Sequence, residues 1–147
     1  MRRALLAITL ALACLPAHAE DAALSRCVLA ASARYQVPAD LVRAVMRAEG
    51  GAVGTVARNR NGSADLGVMQ INTIHLPELA RYGITRDMLV RDACLNIHVG
   101  TWILQRELSR GGDYWTNVGA YNSRTPVHNK RYRERVWQHL LAIWRGH

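Results

Sequence analysis

The stretch LVRAVMRAEGG, at residues 41–51, constrains the fold more than any other part of the chain. Its apolar residues lie at helical spacing before Glu49, so the carboxylate shares their face of the helix. Two consecutive glycines end the helix directly after the glutamate. The apolar residues on that face are Leu41, Val42, Val45 and Met46. A carboxylate among core side chains is costly unless the protein needs an acid whose pKa is raised by desolvation.

Most of the remaining chain also shows helical patterns. The longest apolar helix ends at two glycines, and Asp113 is placed to cap the helix that follows. The last helix carries a charged run at residues 130–135, which is typical of a solvated face. Its predicted buried stripe consists of Val136, Leu140, Ile143 and Trp144. The predicted helices cover residues 22–35, 38–49, 77–82, 96–108, 113–121 and 128–144. The fold class is therefore mainly α, in one compact domain.

A turn interrupts the helical pattern at residues 58–63, RNRNGS. Asn61-Gly62 is its strongest local signal, because both residues tolerate the positive φ of tight hairpin turns. We predict a small hairpin near residues 56–66. Asp65 follows this turn, and its plain structural interpretation is an N-cap for a short helix that starts at Leu66.

The first 19 residues have the form of a cleavable secretory signal. Arg2 and Arg3 give a positive start, an apolar run of about 12 residues follows, and residues 17–19 match the small-x-small cleavage pattern. The run is too short to span a bilayer of roughly 30 Å. We expect a signal at 1–19, one domain at 20–147 and no stable membrane insertion after cleavage. Lipidation of Cys14 and twin-arginine export are weaker alternatives, because the flanking residues fit them poorly.

The chain is basic, with 19 Lys and Arg against 11 Asp and Glu and a net charge of +8. A basic exported protein suits an anionic polymer such as a cell wall, or an acidic membrane surface. Nucleic-acid binding is disfavoured by the export signal, and the sequence contains no arginine-lined recognition helix. The histidines have no metal-ligand spacing, so we expect no metal site and no cofactor.

Two cysteines, Cys27 and Cys94, remain once the predicted signal is removed. A pair of cysteines in an exported protein favours a disulfide, which would join the first helix to the start of a late one. Two separate buried thiols are the alternative.

Two stretches place polar residues where a core pattern would exclude them: NRNGSADLGVMQIN at 59–72 and GAYNSRTP at 119–126. With the AEGG end of the helix, their order resembles the small specialised lytic transglycosylases of the lysozyme-like superfamily. The resembling type accompanies secretion, conjugation and type IV pilus machines. The resemblance covers essentially the whole chain from residue 20, including both cysteines. Gly50 is one departure, because many members have serine there.

The resemblance implies a lysozyme-like fold and a peptidoglycan lytic transglycosylase. Such an enzyme cleaves the MurNAc-GlcNAc β-1,4 bond and forms 1,6-anhydro-MurNAc. It implies Glu49 as the catalytic acid, in agreement with the apolar stripe, because an acid that protonates a glycosidic oxygen at neutral pH needs a raised pKa. The Tyr121 hydroxyl is expected near Glu49. The expected sugar-binding residues are Met69, Gln70 and Asn72 in one wall of the groove, with Tyr121 and Asn122 opposite.

Asp65 separates two possible mechanisms. The same stretch resembles c-type lysozymes, in which the matching aspartate is the second catalytic carboxylate of a hydrolase. We therefore carry Asp65 with Glu49 as a catalytic candidate, and a muramidase as the alternative activity. The chain lacks the dense disulfide framework of c-type lysozymes, which favours the transglycosylase.

A third alternative is a non-catalytic glycan-binding component of an envelope machine. The presence of Glu49 argues against it. The expected partners are peptidoglycan glycan strands and envelope-spanning machine components, and the expected location is the periplasm. Tryptophans at helical spacing are more often core residues than ligands. We expect none of Trp102, Trp137 and Trp144 to bind sugar, and we leave Trp115 open.

Overall fold

The computed structural model describes residues 15–146. Most of the predicted signal, including its two arginines and Cys14, lies outside the described residues. The described chain contains seven α-helices and one small antiparallel sheet of three strands. The prediction of a mainly α fold with a small hairpin is confirmed. The α-helices are α1 (Leu15–Tyr35), α2 (Ala39–Glu49), α3 (Leu76–Leu79), α4 (Arg86–Arg91), α5 (Ala93–Leu108), α6 (Tyr114–Ala120) and α7 (Pro126–Arg145). The strands are β1 (Val56–Arg58), β2 (Ala64–Leu66) and β3 (Ile71–Asn72).

The core forms where two helix pairs meet. Helix α2 packs against α7, α1 packs against α5, and α6 contacts both α5 and α7. The predicted stripe of α2 is confirmed for Leu41, Val42 and Val45, which are at most 3% exposed, while Met46 is only half-buried. This stripe faces α7, so Glu49 at its end also faces α7.

The small sheet begins with the predicted hairpin. Val56 pairs with Leu66 and Arg58 with Ala64, and the turn between them is closed by a 3.1 Å bond from the Gly62 amide to the Asn59 carbonyl. Gly62 has a φ of 85°, which explains the glycine. Strand β3 was not predicted, because two residues are too few to show an alternating pattern.

The disulfide is present, since Cys27 of α1 and Cys94 of α5 are bonded with their Cα atoms 5.2 Å apart. It closes a loop with a sequence separation of 67 residues. By the chain-entropy model such a loop stabilises the fold by roughly 4 kcal/mol.

Several boundaries and one stripe differ from the prediction. Helix α4 was missed because it is short, and α5 starts at Ala93, where the Asp92 carboxylate accepts from the Leu95 amide at 2.9 Å. The predicted burial of Trp144 is wrong: the residue is 51% exposed, although its neighbour Ile143 on the last turn of α7 is only 5% exposed. Each helix within residues 15–146 is either too short or too polar to span a bilayer.

Candidate active site

Glu49 is the last residue of α2, and its position depends on the glycine that follows. Gly50 adopts the left-handed conformation with φ 65° and ψ 19°, and its amide donates to the Met46 carbonyl at 3.0 Å. This is a usual helix C-cap, and glycine adopts it without steric cost. The serine found at this position in many resembling proteins is therefore replaced here by the residue that the local backbone favours.

Gly51 lets a second segment approach the end of α2. A Cβ atom at this position would lie 2.1 Å from the Gly67 carbonyl oxygen and 2.7 Å from Nε2 of Gln70. No side chain fits at that separation, so only glycine allows residues 67–70 to pack against the end of the helix. The two glycines thus have different tasks: Gly50 ends α2, and Gly51 brings Gln70 beside it.

The Glu49 carboxylate contacts a buried tyrosine from the last helix. The hydroxyl of Tyr132 donates to Oε1 of Glu49 at 2.5 Å, and Tyr132 is only 1% exposed. The Arg135 guanidinium lies 5.2 Å from the centroid of the same tyrosine ring. A short O–H···O contact of this kind is typical of a charge-assisted hydrogen bond.

Burial, through desolvation of the carboxyl, has the largest effect on the pKa of Glu49, and it raises this pKa. The net pKa is about 7, raised from the ordinary value of 4.5. The hydrogen bond from Tyr132 and the charge of Arg135 act against this rise, and the negative charge of Asp65 contributes to it. Burial, followed by the charge of Glu49, also raises the pKa of Tyr132 well above its ordinary value, so this hydroxyl remains a donor at neutral pH. Glu49 is therefore poised to give and accept a proton near pH 7.

Asp65 lies in strand β2, so the alternative that it caps a helix starting at Leu66 is wrong. Its two carboxylate oxygens accept from two amides: Oδ2 from Nδ2 of Asn59 at 3.0 Å, and Oδ1 from Nδ2 of Asn72 at 2.7 Å. Asp65 also pairs with Asn72 across the β2–β3 ladder. The sheet and two amides therefore fix the orientation of this carboxylate.

Asn72 was predicted to bind sugar, and its side chain already has three protein partners. Its Oδ1 accepts from the Ile74 amide at 3.0 Å, and its Nδ2 donates to Asp65 and, at 3.1 Å, to Oγ of Ser63. These contacts indicate that Asn72 orients the Asp65 carboxylate. Gln70 is half-buried, and its Nε2 donates to the Gly67 carbonyl at 2.8 Å.

Met69 was predicted to lie in a groove wall, and its side chain packs in the core. It is fully buried, and a Cβ at Gly100 of α5 would lie 2.5 Å from its sulfur. The Met69 backbone contributes instead: its amide donates to Oδ1 of Asn96 at 2.8 Å, and its carbonyl accepts from the Tyr121 hydroxyl at 2.9 Å. Met69 is thus a core residue whose backbone ties the loop to α5 and α6.

The Tyr121 hydroxyl, expected near Glu49, is close enough for the charge of that carboxylate to act on it, and it donates its hydrogen bond to the Met69 carbonyl. Its ring stacks on that of Tyr132, with the centroids 6.4 Å apart and the planes at 22°. Burial and the charge of Glu49 raise the pKa of Tyr121 well above its ordinary value. Tyr121 therefore supports Tyr132, and Tyr132 makes the contact with the carboxylate. Asn122 is exposed at the end of α6.

Two buried amides that organise the site were missed from the sequence. Asn96 of α5 is fully buried; its Nδ2 donates to the carbonyls of Leu66 and Leu89, each at 2.8 Å, while its Oδ1 accepts from Met69. Asn129 of α7 donates to the carbonyls of Thr116 and Ser123 at 2.9 and 3.0 Å. An amide fits such places because it donates and accepts at once.

Tyr132 was also missed, although one signal could have found it. It lies four residues before Val136 and so continues the buried stripe of α7 toward the N-terminus. The charged residues around it, at 130–135, favoured the interpretation of that whole run as a solvated face. Among residues 15–146, His, Cys, Asp and Glu side chains form no group of three that could hold a metal ion.

Comparison with known proteins identifies the family of the chain. Residues 26–140 match the family model described as Transglycosylase SLT domain. The chain is 34% identical over 122 residues to Invasion protein IagB of Salmonella typhimurium (strain SL1344), covering 80% of this chain and 76% of the relative. It is 35% identical over 118 residues to Protein IpgF of Shigella flexneri, covering 77% and 78%. It is also 34% identical over 128 residues to a Peptidoglycan-binding-like protein of Escherichia coli O157:H7, covering 82% and 77%. The chain therefore belongs to the transglycosylase SLT domain family, a lytic transglycosylase-like group that acts on peptidoglycan.

Proposed function

We propose that this protein is a peptidoglycan lytic transglycosylase with Glu49 as its only acid and base. The observation that carries the proposal is a half-buried carboxyl at the end of α2 that is held by the Tyr132 hydroxyl and has its pKa raised to about 7. At neutral pH a substantial share of Glu49 is protonated and can donate, and the carboxylate left behind is basic enough to take a proton back.

In the proposed reaction Glu49 donates one proton and later takes one proton back. Glu49 first protonates the glycosidic oxygen between MurNAc and GlcNAc as the bond breaks, and the acetamido group of the substrate stabilises the sugar cation. The Glu49 carboxylate then takes the proton from the C6 hydroxyl of the MurNAc, whose oxygen bonds to C1 and closes the 1,6-anhydro ring. Glu49 is protonated again, and no water is consumed.

Tyr132 has a role in the same sequence. Its hydrogen bond to Glu49 strengthens when the carboxylate becomes charged, so it stabilises the state between the two proton transfers. Because burial keeps the tyrosine protonated, it does not compete as a base. We propose Gln70 and Asn122 as the amides that meet the N-acetyl sugars, since amides match both hydroxyl and acetamido groups, and Asn72 as the residue that orients Asp65 beside them.

A muramidase is the second candidate, and the setting of Asp65 favours it. An aspartate that is held by two amides and raises the pKa of the nearby acid resembles the second carboxylate of a glycoside hydrolase. In that reaction Asp65 would stabilise or attack the sugar cation, and water would complete the hydrolysis.

The test is a muropeptide analysis of peptidoglycan treated with the chain from residue 20. We expect soluble products lighter by one water than hydrated muropeptides, and their loss in Glu49→Gln. We expect Asp65→Asn to keep the anhydro products at a reduced rate. Hydrated reducing ends that disappear in both variants would show the muramidase. An unchanged yield from Glu49→Gln would contradict both mechanisms.

We also propose that the protein works in the periplasm beside an envelope-spanning machine. The support is the signal-like segment at 1–19, the resemblance to machine-associated transglycosylases, and the name Invasion protein carried by one relative. Cleavage of the wall is harmful unless it is local, so we expect recruitment by the machine. Equal wall cleavage in cells with and without the machine would contradict this.

A further inference from the structure

Four aromatic side chains form a continuous patch on α6 and α7, away from Glu49. We call Tyr114, Trp115, Trp137 and Trp144 the aromatic patch. Neighbouring rings meet edge to face, with centroids 6.0 Å apart for Tyr114–Trp115, 5.1 Å for Trp115–Trp137 and 6.0 Å for Trp137–Trp144. Three of the four tryptophans in the chain therefore lie in one surface cluster.

The aromatic patch is open to solvent. Tyr114 is 44% exposed, Trp137 38% and Trp144 51%, so the interpretation of these two tryptophans as core residues, which was the reason to expect no sugar binding by them, is wrong. Burial of such rings is favourable, so a protein that leaves several of them together at its surface is expected to use them in binding. The candidate active site, at the other end of α2, contains none of the four.

Two cavities border the patch, and Trp115 lines both. One, of about 280 Å³, lies at the start of α2, where Oδ2 of Asp40 accepts from Nε1 of Trp144 at 3.2 Å. The other, of about 290 Å³, lies along α7, where Arg133 and Gln138 stand beside Trp137. Each cavity thus combines flat ring surfaces with side chains that form hydrogen bonds.

This combination fits a sugar. A pyranose ring has an apolar C–H face that stacks on an aromatic ring and a rim of hydroxyl groups that need hydrogen bonds. The cavity along α7 has no aliphatic lining residue: its walls are two tryptophan rings, the Glu134 carboxylate, the Arg133 guanidinium and the Gln138 amide. An apolar protein helix would need an aliphatic surface there. The cavity at the start of α2 also has aliphatic residues, of which Leu41 and Leu140 are 3% and 5% exposed, Ala39 is half-buried and Pro38 is exposed.

The distance to Glu49 suits a polymer that reaches both places. Asp40 and Glu49 lie at opposite ends of α2, nine residues apart, which corresponds to roughly 14 Å along the helix axis. A monosaccharide cannot contact both, but a glycan strand or two neighbouring strands can. Two weak sites on one polymer raise the effective affinity well above that of either site.

We propose that the aromatic patch is a second glycan-binding site, which holds peptidoglycan while Glu49 acts on a neighbouring part of it. The proposal rests on the proposed function only for the chemical class of the polymer. Binding does not need catalysis, so a failure of either proposal is seen separately.

The test measures cosedimentation of the Glu49→Gln protein with insoluble peptidoglycan. In that background we expect Trp137→Ala combined with Trp144→Ala to raise the dissociation constant roughly tenfold, as two ring contacts are lost. Tyr114→Ala, a smaller change at the first residue of α6, should raise it roughly threefold. Tyr82→Ala is the matched control, because Tyr82 is 69% exposed on another face, beside Trp102. Melting temperatures identify any variant that is misfolded.

A second measurement separates this site from the active site. With Glu49 intact, the patch variants should lose activity on whole peptidoglycan and keep it on soluble glycans too short to reach both sites. If folded Tyr114→Ala and the folded double variant cosedimented with peptidoglycan as well as the unmodified patch does, the proposal would be overturned. The aromatic patch would then be expected to bind a protein. Equal loss of activity on short and long substrates would also overturn the proposal, because the patch would then act through the fold.

Discussion

The Tyr132 hydroxyl donates a 2.5 Å hydrogen bond to Oε1 of Glu49 from a position 83 residues later in the chain. This hydrogen bond lowers the pKa of Glu49, whereas burial raises it. The effect of burial is larger, so the pKa is about 7. The acid of the proposed reaction is therefore set by two elements that are distant in sequence, α2 and α7.

Replacing Tyr132 by phenylalanine should move the pH profile of activity. The wild-type rate is expected to fall as pH rises through about 7, because Glu49 loses the proton that it must donate. Tyr132→Phe removes the hydrogen bond that lowers the pKa of Glu49, so the fall should begin at higher pH, with kcat reduced roughly tenfold to a hundredfold. Initial rates of muropeptide release across the pH range measure both effects.

Tyr121→Phe provides the control for that shift. Its hydroxyl bonds the Met69 carbonyl rather than Glu49, so its removal should leave the alkaline limb near its wild-type position. If Tyr121→Phe shifted the alkaline limb of the pH profile as far as Tyr132→Phe does, the shift would reflect a general loosening of the site and not the loss of the hydrogen bond to Glu49.

Glu49→Gln should make the protein more stable than the wild type at high pH. The folded carboxyl has a pKa of about 7 against 4.5 for an unperturbed one, so between these values the folded state binds more protons than the unfolded state. The contribution of Glu49 is thus complete below about pH 4.5 and lost as pH rises through about 7, a loss of about 3 kcal/mol. Glutamine avoids this loss. Urea unfolding at several pH values measures the difference, with Glu134→Gln on the exposed side of α7 as a control.

If the stability difference between Glu49→Gln and the wild type were the same at acidic and alkaline pH, the raised pKa of Glu49 would be contradicted. The comparison uses one free energy of unfolding per protein and pH, so it does not depend on enzyme activity.

Gly51→Ala should damage the site far more than Gly50→Ala. The added methyl group at 51 would meet the Gly67 carbonyl at 2.1 Å, so residues 67–70 must move away from the end of α2. At Gly50 no atom lies within 4 Å, and the cost is the φ of 65°, about 1 kcal/mol. We expect Gly51→Ala to lose at least 2 kcal/mol of stability and most activity. Thermal unfolding and muropeptide release test both variants, and equal losses would argue against the close approach.

Asn96→Ala should destabilise the protein by roughly 3 kcal/mol or more, because it leaves the Met69 amide and two carbonyls buried without partners. Asn117→Ala is the matched control. Asn117 makes one exposed bond, from Nδ2 to the Gly111 carbonyl, and its loss should cost less than 1 kcal/mol. Urea unfolding compares the two, and similar losses would show that Asn96 does not organise the loop.

The sequence by itself predicted the features that depend on near neighbours in the chain. The stripe of α2 follows helical periodicity, so the spacing of its apolar residues was enough to place Glu49 on a buried face. The hairpin at Asn61-Gly62 and the cap at Asp113 are equally local, since each is made within a few residues. The disulfide could be predicted because the predicted mature chain holds only two cysteines.

Only the tertiary structure decided which side chains meet Glu49 and which remain at the surface. Tyr132, Asn96 and Asn129 bond to groups that lie far away in the sequence or in another element, and no local pattern encodes such partners. Trp144 continues the helical stripe of α7 yet is exposed, because burial depends on what covers a helix face as well as on its period. The periodicity of the sequence identifies the residues that share a helix face, whereas the packing between helices determines what that face contacts.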